Sequence, residues 1–260
     1  MGKYIIGAIA GDIIGSVYEG HNIKTADFDL FSRKSRFTDD SVLTLATMYA
    51  ILNKIDYAEA YQSFAKRYPH RGYGGNFKSW VQSDNPKPYD SFGNGSAMRV
   101  SPIGWSSISL SNTMAEAQKS AMVTHNHPEG IKGAQSAAAA VFMARTGKRK
   151  DEIKDFIIDA FGYSLDRKID DIRTYYKFDV SCQGSVPEAI IAFLESADYE
   201  SAIRLAISIG GDSDTIACIA GGIAEAYYQI IPESISKNVL EILPEELINI
   251  VEQFSAMYGK

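Results

Sequence analysis

The stretch Ile207–Ile231, ISIGGDSDTIACIAGGIAEAYYQII, decides the fold class and poses the functional question of this chain. After Thr215 its large apolar residues fall at Ile216, Ile219, Ile223 and Tyr227, the three-and-four spacing of one helix face. Ala, Gly and Cys fill the positions between them, so the helix reads as buried on most sides and able to admit close neighbours. Yet the run opens on Asp212, Ser213, Asp214 and Thr215. A carboxylate pressed against a core is costly unless it is paired, hydrogen-bonded or bound to a cation. Two of them together call for something to stand opposite.

The same helical period recurs outward from this stretch. Ile6, Ile9, Ile13 and Val17 form one stripe, Val42, Ala46 and Tyr49 another, and Ile131, Ala134, Ala138 and Phe142 a third. Pro187 and Glu188 suit a first helical turn, and Asp198 or Ser201 a cap for the next helix. Two-residue alternation is scarce. The expected fold is therefore all-α, one domain spanning 1–260. The segment from Tyr68 to Pro102 differs, being rich in Gly, Pro, Asn, Ser and aromatics. It is too long for an idle connection and reads as a binding loop.

Bulk properties exclude several classes. The 260 residues are 45% hydrophobic and carry a net charge of -6, with 26 Lys and Arg against 32 Asp and Glu and no long block of either sign. That argues against an extended nucleic-acid surface, which would need a clustered basic face. Only two cysteines occur, Cys182 and Cys218, too few and too far apart for a disulfide scaffold. No run reaches the roughly 18 uninterrupted apolar residues of a membrane span, and the N-terminus, interrupted by Asp12, lacks a signal-peptide pattern. A cytoplasmic monomer is expected.

A second acidic cluster, RFTDDSVLTLA from Arg36 to Ala46, repeats the arrangement at Asp212. Thr38, Asp39 and Asp40 precede an apolar helical run as Asp212, Ser213, Asp214 and Thr215 do. Hydroxyls and carboxylates are ordinary helix caps and favour helix starts. Capping needs one side chain, however, and each start here carries two carboxylates and a hydroxyl. With no His or Cys among them, the donors suit Mg²⁺ or Mn²⁺ and not zinc. If the two starts face each other, four carboxylates can hold two divalent cations. Asp12, Ser16 and Glu19 fall on one helical face and are candidates to join them. In SFGNGSAMRVSPIGW, Ser91, Phe92, Gly93, Asn94, Gly95 and Ser96 offer small residues whose backbone N–H groups suit a phosphate, although Asn-Gly is first a turn signal. His125 and His127 form an H-x-H pair, read as ligand-contacting or satisfied polar histidines and not as a zinc site.

Taken together, GAIAGDIIGSVYEG, FTDDSVLTLA, GNGSAMRVSPIG, THNHPEGIKGAQSAAAA and GGDSDTIACIAGGIAEAYY resemble the ADP-ribosylglycohydrolases over nearly the whole length. The resemblance implies a compact orthogonal helical bundle with a binuclear Mg²⁺ or Mn²⁺ centre in a central cleft. It implies Thr38, Asp39 and Asp40 as metal ligands on one side and Asp212, Asp214 and Thr215 on the other. Glu19 matches a glutamate acting at the scissile bond, with Asp39 as a second proton-transfer candidate. Ser91 to Ser96 match the pyrophosphate and ribose loop, His125 a ligand-pocket histidine, and Asp12 is placed with the substrate-binding set. Two positions depart from the family's usual writing: Ser41 stands in the last place of T-D-D-T, and Ser96 follows Gly-Asn-Gly, where it can add a hydrogen bond to phosphate. Phe92, or Tyr175, Tyr176 and Phe178, are candidates to stack on adenine.

The implied reaction is metal-dependent hydrolysis at the distal ribose of an ADP-ribose conjugate, whether a modified protein or O-acetyl-ADP-ribose. Cations in this site would hold the ribose hydroxyls and activate water. Arginine, serine, a nucleic-acid end and O-acetyl-ADP-ribose all remain open as the leaving side. A non-catalytic ADP-ribose-binding relative and a dimetal phosphohydrolase are the alternatives.

Overall fold

The computed structural model describes residues 4–259. The outermost residues of the expected 1–260 domain lie outside the described ones. Among the described residues the chain forms fourteen α-helices and no strand. They are α1 (Gly7–Gly15), α2 (Asp39–Asn53), α3 (Tyr57–Arg67), α4 (Gly75–Val81), α5 (Ser101–Ser106), α6 (Leu110–Met122) and α7 (Pro128–Arg145). The second half adds α8 (Lys150–Phe161), α9 (Ile169–Tyr175), α10 (Cys182–Glu195), α11 (Tyr199–Ser208), α12 (Ser213–Tyr228), α13 (Glu233–Ile242) and α14 (Glu245–Tyr258). A single 3-10 turn covers Asn94–Ser96. The all-α expectation holds.

The axis of the fold is the antiparallel pair α1 and α12. Every residue of α1 is buried, and Ile9, Ile13 and Ile14 have no exposed surface. Gly7, Gly11 and Gly15, four residues apart, form a ridge without side chains. A Cβ on Gly11 would stand 2.1 Å from the Ala217 carbonyl oxygen, one on Gly15 2.5 Å from the Asp214 Cα, and one on Gly7 2.6 Å from the Gly221 carbonyl oxygen. The two backbones thus touch, and the contact brings the end of α1 beside the start of α12, where Asp212 and Asp214 stand. At the far end the Glu225 carboxylate accepts from the Ile6 and Gly7 N–H groups at 2.9 and 2.8 Å, satisfying the open donors of the α1 start. Tyr199 donates to the Gly7 carbonyl at 2.7 Å.

The remaining helices wrap this pair around one connected apolar core. Small residues again set the spacing: a Cβ on Gly133 of α7 would lie 2.3 Å from Cys182 Sγ at the start of α10. Both cysteines are free and buried. The helix expected to begin near Pro187 begins earlier, at Cys182, with Ser181 as its cap, and Pro187 lies in its interior. For α11 the two expected caps act together: Asp198 accepts from the Ser201 N–H, and Ser201 Oγ from that of Asp198. No helix among the described residues is long and apolar enough to cross a membrane.

Candidate metal centre and active site

The starts of α2 and α12 meet. Carboxylate oxygens of Asp12, Asp40 and Asp214 all lie within 4.8 Å of one another, and so do those of Glu19, Asp212 and Asp214. Asp214 belongs to both groups and joins the two halves. Among the described residues these groups contain carboxylates only. Asp40 Oδ1 is buried and has no hydrogen-bond partner among the described residues. An unpaired buried carboxylate oxygen beside the carboxylates of Asp12 and Asp214 is unfavourable by itself and suits a hard cation.

The electrostatics say the same. Burial pushes the Asp40 and Asp214 carboxyls well above the usual range, and neighbouring acids push them further. Asp39 opens partly to the cleft, but the protein around it, followed by the charge of Asp12, pushes it up to about 8. Burial also raises Asp212, opposed by hydrogen bonds from Asn94 and Asp214. Half-buried Glu19 is raised by burial and then by Asp212, while Arg36 works against the shift. The positive ends of two helix dipoles meet at this cluster and offset part of the crowding.

Each acid is held by its local chain. Gly210 and Gly211 both have positive φ, 71° and 76°, a conformation that side chains resist, and this turn delivers Asp212 into the cleft. Asn22 fixes the turn. Its Oδ1 accepts from the Gly211 N–H at 2.7 Å, while its Nδ2 donates to the carbonyls of Gly211, Tyr18 and Glu19. Lys24 donates to the carbonyls of Ile209 and Tyr176. Asn94 Nδ2 donates to Asp212 Oδ2 at 2.6 Å and to Ser185 Oγ at 3.0 Å. The Asp39 N–H donates to the Arg71 carbonyl at 2.8 Å, and Gly72 leaves room for Asp39 Oδ1, which would sit 2.8 Å from a Cβ there.

These residues line a cleft of about 470 Å³, within the range of ligand-sized pockets. Glu19, Thr38, Asp39, Asp40, Asp212, Asp214 and Thr215 reach it, as do Ser91, Gly93, Asn94, Gly95 and His125. Three predicted site residues do not line it. Asp12 is fully buried behind the start of α2, where it accepts from the Thr38 N–H at 2.9 Å, the Thr38 hydroxyl at 2.6 Å, the Ser41 N–H at 3.1 Å and the Ser41 hydroxyl. The expected shared face with Glu19 is absent because α1 ends at Gly15 and the chain turns before Glu19. Ser96 is also fully buried and donates to the Gly130 carbonyl at 2.7 Å, away from any phosphate. Phe92 is 49% exposed and packs at 5.3 Å against His127.

The glycine-rich loop is more occupied than its sequence suggests. The Gly93 N–H donates to Ser91 Oγ, and the Asn94 N–H to the Val180 carbonyl at 2.7 Å, part of an antiparallel bridge between Gly93 and Ser181. Of the aromatic candidates, Phe178 lines the cleft and Tyr175 is exposed without lining it. Tyr176 is buried under Gly211 and donates to the Gly184 carbonyl. His127 caps α7, its Nδ1 accepting from the Glu129 N–H. Sequence reasoning missed Asn22 and Arg99. Arg99, inside GNGSAMRV, is fully buried, lines the cleft and pairs with no carboxylate among the described residues.

The family model described as ADP-ribosylglycohydrolase matches residues 3–260. ADP-ribosylhydrolase ARH3 of Homo sapiens is 29% identical over 317 aligned residues, covering 88% of this chain and 86% of its own length. ADP-ribosylarginine hydrolase Tri1 of Pseudomonas putida is 27% identical over 267 residues, covering 86% of this chain and 70% of its own. A solved structure described as an ADP-ribosylglycohydrolase-related protein complex superposes with a TM-score of 0.73 at 22% identity, covering 98% of this chain and 96% of that one. That likeness extends to the fold.

Proposed function

Because the chain belongs to the ADP-ribosylglycohydrolase family, we propose that it is a divalent-cation-dependent hydrolase that cleaves ADP-ribose conjugates at the anomeric carbon of the distal ribose and releases ADP-ribose. One observation carries the reading: Glu19 and the acids at the starts of α2 and α12 converge on a nucleotide-sized cleft and leave a buried Asp40 oxygen without a partner among the described residues. The names of the relatives support the substrate class. Thr38, Asp39, Asp40, Asp212, Asp214 and Thr215 are assigned as the holders of two cations, Mg²⁺ or Mn²⁺, which when bound supply Lewis acidity and a stronger water nucleophile.

The chain's own groups then divide the work. Glu19 reaches the same space as Asp212 and Asp214, and is assigned to move a proton at the anomeric oxygen or the attacking water, with Asp39 as the second candidate. Ser91, Gly93, Asn94, Gly95 and His125 are assigned to the pyrophosphate and inner ribose, whose binding orients the reacting sugar. Asp12 is reassigned from substrate to support: it ties α1 to the α2 start and so fixes Thr38 and Asp40. Near Glu19 and Asp39 the lining is Arg36, His70 and Arg71, and neither arginine is ion-paired among the described residues. That setting disfavours the cationic guanidinium of an arginine acceptor and favours a neutral or anionic leaving group. The proposal includes a cytoplasmic monomer of one domain, supported by the free buried thiols and the single connected core.

The test offers purified protein ADP-ribosyl-serine peptide, O-acetyl-ADP-ribose and ADP-ribosyl-arginine with Mg²⁺, each with and without chelator. Chelator-sensitive release of ADP-ribose, lost in Asp212→Ala, supports the reading. Release of AMP would assign the site to phosphoanhydride cleavage. Binding of ADP-ribose with every conjugate left intact would make the protein a reader.

A further inference from the structure

His125 Nδ1 lies 2.7 Å from Thr124 Oγ1, and Arg99 Nη2 donates to the same Thr124 oxygen at 2.9 Å. We propose that Arg99 and Thr124 hold His125 as the tautomer protonated at Nε2, which gives the cleft a fixed hydrogen-bond donor beside Gly93 and Gly95. A guanidinium only donates, so the Thr124 oxygen is an acceptor toward Arg99. Thr124 is fully buried, and among the described residues the sole partner recorded for its hydroxyl hydrogen is His125 Nδ1. With the hydrogen placed there, Nδ1 accepts and the ring proton belongs on Nε2. The opposite tautomer would put the proton of Nδ1 on the Thr124 oxygen and strand the hydroxyl hydrogen in the core, a costly arrangement.

Arg99 is itself locked. It donates to the Ser120 carbonyl at 2.8 Å and lies 4.3 Å above the Tyr61 ring, whose hydroxyl pairs with Ser120 Oγ and Thr47 Oγ1. A buried cation beside the ring also opposes a second ring proton, and burial together with Arg99 holds the imidazole well below its usual titration range. The free nitrogen faces the ligand side: Nε2 lies 3.4 Å from where a Cβ on Gly95 would stand and 3.6 Å from the same point on Gly93, and it has no partner within the described protein. Glycine at both positions leaves the path from Nε2 to the cleft open. Its partner in the complex is an acceptor, a phosphate or hydroxyl oxygen of the ligand. This last step rests on the proposed reading of the cleft, whereas the tautomer does not.

The test is a long-range ¹H–¹⁵N correlation of the imidazoles in the full-length, Mg²⁺-containing, ligand-free protein, with the His125 signals assigned by their loss in His125→Gln. Wild type is expected to show an unprotonated Nδ1 and a protonated Nε2. Thr124→Val, which keeps the shape and removes the hydroxyl, should lose that signature and bind ADP-ribose about tenfold more weakly, the scale of one lost hydrogen bond. Thr124→Ser should restore both. Circular dichroism confirms that the variants fold. A wild-type proton on Nδ1, or on both nitrogens at neutral pH, would overturn the proposal. So would a Thr124→Val protein with altered tautomer and unchanged ADP-ribose affinity. Failure of wild type to bind ADP-ribose, with the Nε2–H signature intact, would count against the reading of the cleft and leave the tautomer standing.

Discussion

Asp40→Asn separates the metal site from the fold because its two effects have opposite signs. In the metal-free protein Asp40 is a buried carboxylate surrounded by acids, with carboxylate oxygens of Asp12 and Asp214 within 4.8 Å. At that spacing and an effective dielectric constant of about 20, a pair of full negative charges costs roughly 3.5 kcal/mol. The raised carboxyls share protons and relieve part of this, so the isosteric amide should stabilise the metal-free fold by about 1–2 kcal/mol, or about 2–8 °C in Tm for a chain of this size. With Mg²⁺ the order reverses. Wild type gains about 2.7 kcal/mol when the cation is at a hundred times its Kd, and the variant, having lost a ligand oxygen, gains little. Thermal unfolding followed by circular dichroism near pH 8, in chelator and then in Mg²⁺, reads both effects. A variant less stable than wild type in chelator, yet stabilised equally by Mg²⁺, would refute the assignment of Asp40 as a ligand.

The metal-free protein should also lose stability as pH rises from about 4 to about 8. Over that window the raised native carboxyls, Asp39 at about 8 among them, still hold protons that the unfolded chain's aspartates, with an ordinary value of 3.8, have released. A Tm in chelator that climbs with pH across the window would contradict the raised carboxyls. Gly11→Ala should destabilise the fold by about 3 kcal/mol or more, the upper range for forcing atoms into a packed core, since its Cβ would collide with the Ala217 carbonyl; denaturant midpoints measure it, and a neutral result would deny the backbone contact of α1 and α12. Asn22→Ala should lower kcat about tenfold or more, because it frees the turn that carries Glu19 and the loop before Asp212. An unchanged kcat on the released product would remove Asn22 from the positioning of the site.

How much of this was visible in the sequence depends on how far each signal travels along the chain. The helix of Ile216, Ile219 and Ile223 and the acid-rich starts at Thr38 and Asp212 are local patterns, and they stand where periodicity and capping placed them. The facing of those two starts was an inference from repetition and became a geometry in the structure. Asp12 misled because the apolar stripe continues to Val17 although the helix stops at Gly15, so a face extrapolated from Asp12 to Glu19 does not exist. The Asn94 amide, read as loop chemistry, braces Asp212 across 118 residues, and Asn22 braces Gly211 across 189. Such bonds between distant segments leave no periodic trace. Arg99 sits between Met98 and Val100, where a single-sequence reading sees only an interruption in an apolar run.

The pairing of α1 with α12 has a consequence for biosynthesis. The carboxylate that caps Gly7 belongs to Glu225, 218 residues later. At a translation rate of about 5–20 residues per second, α1 leaves the ribosome roughly 10–40 s before its partner is complete. Throughout that interval a helix buried on every side in the finished protein lacks its main partner, with only α2 available early to cover part of it. Its glycine ridge keeps α1 from packing well on any surface except the matching backbone of α12, so early non-native burial is poorly rewarded. The nascent chain is therefore expected to be a client of chaperones that hold apolar segments, and ribosome-stalled chains ending before Glu225 should stay protease-sensitive at α1 while those ending beyond α12 should not.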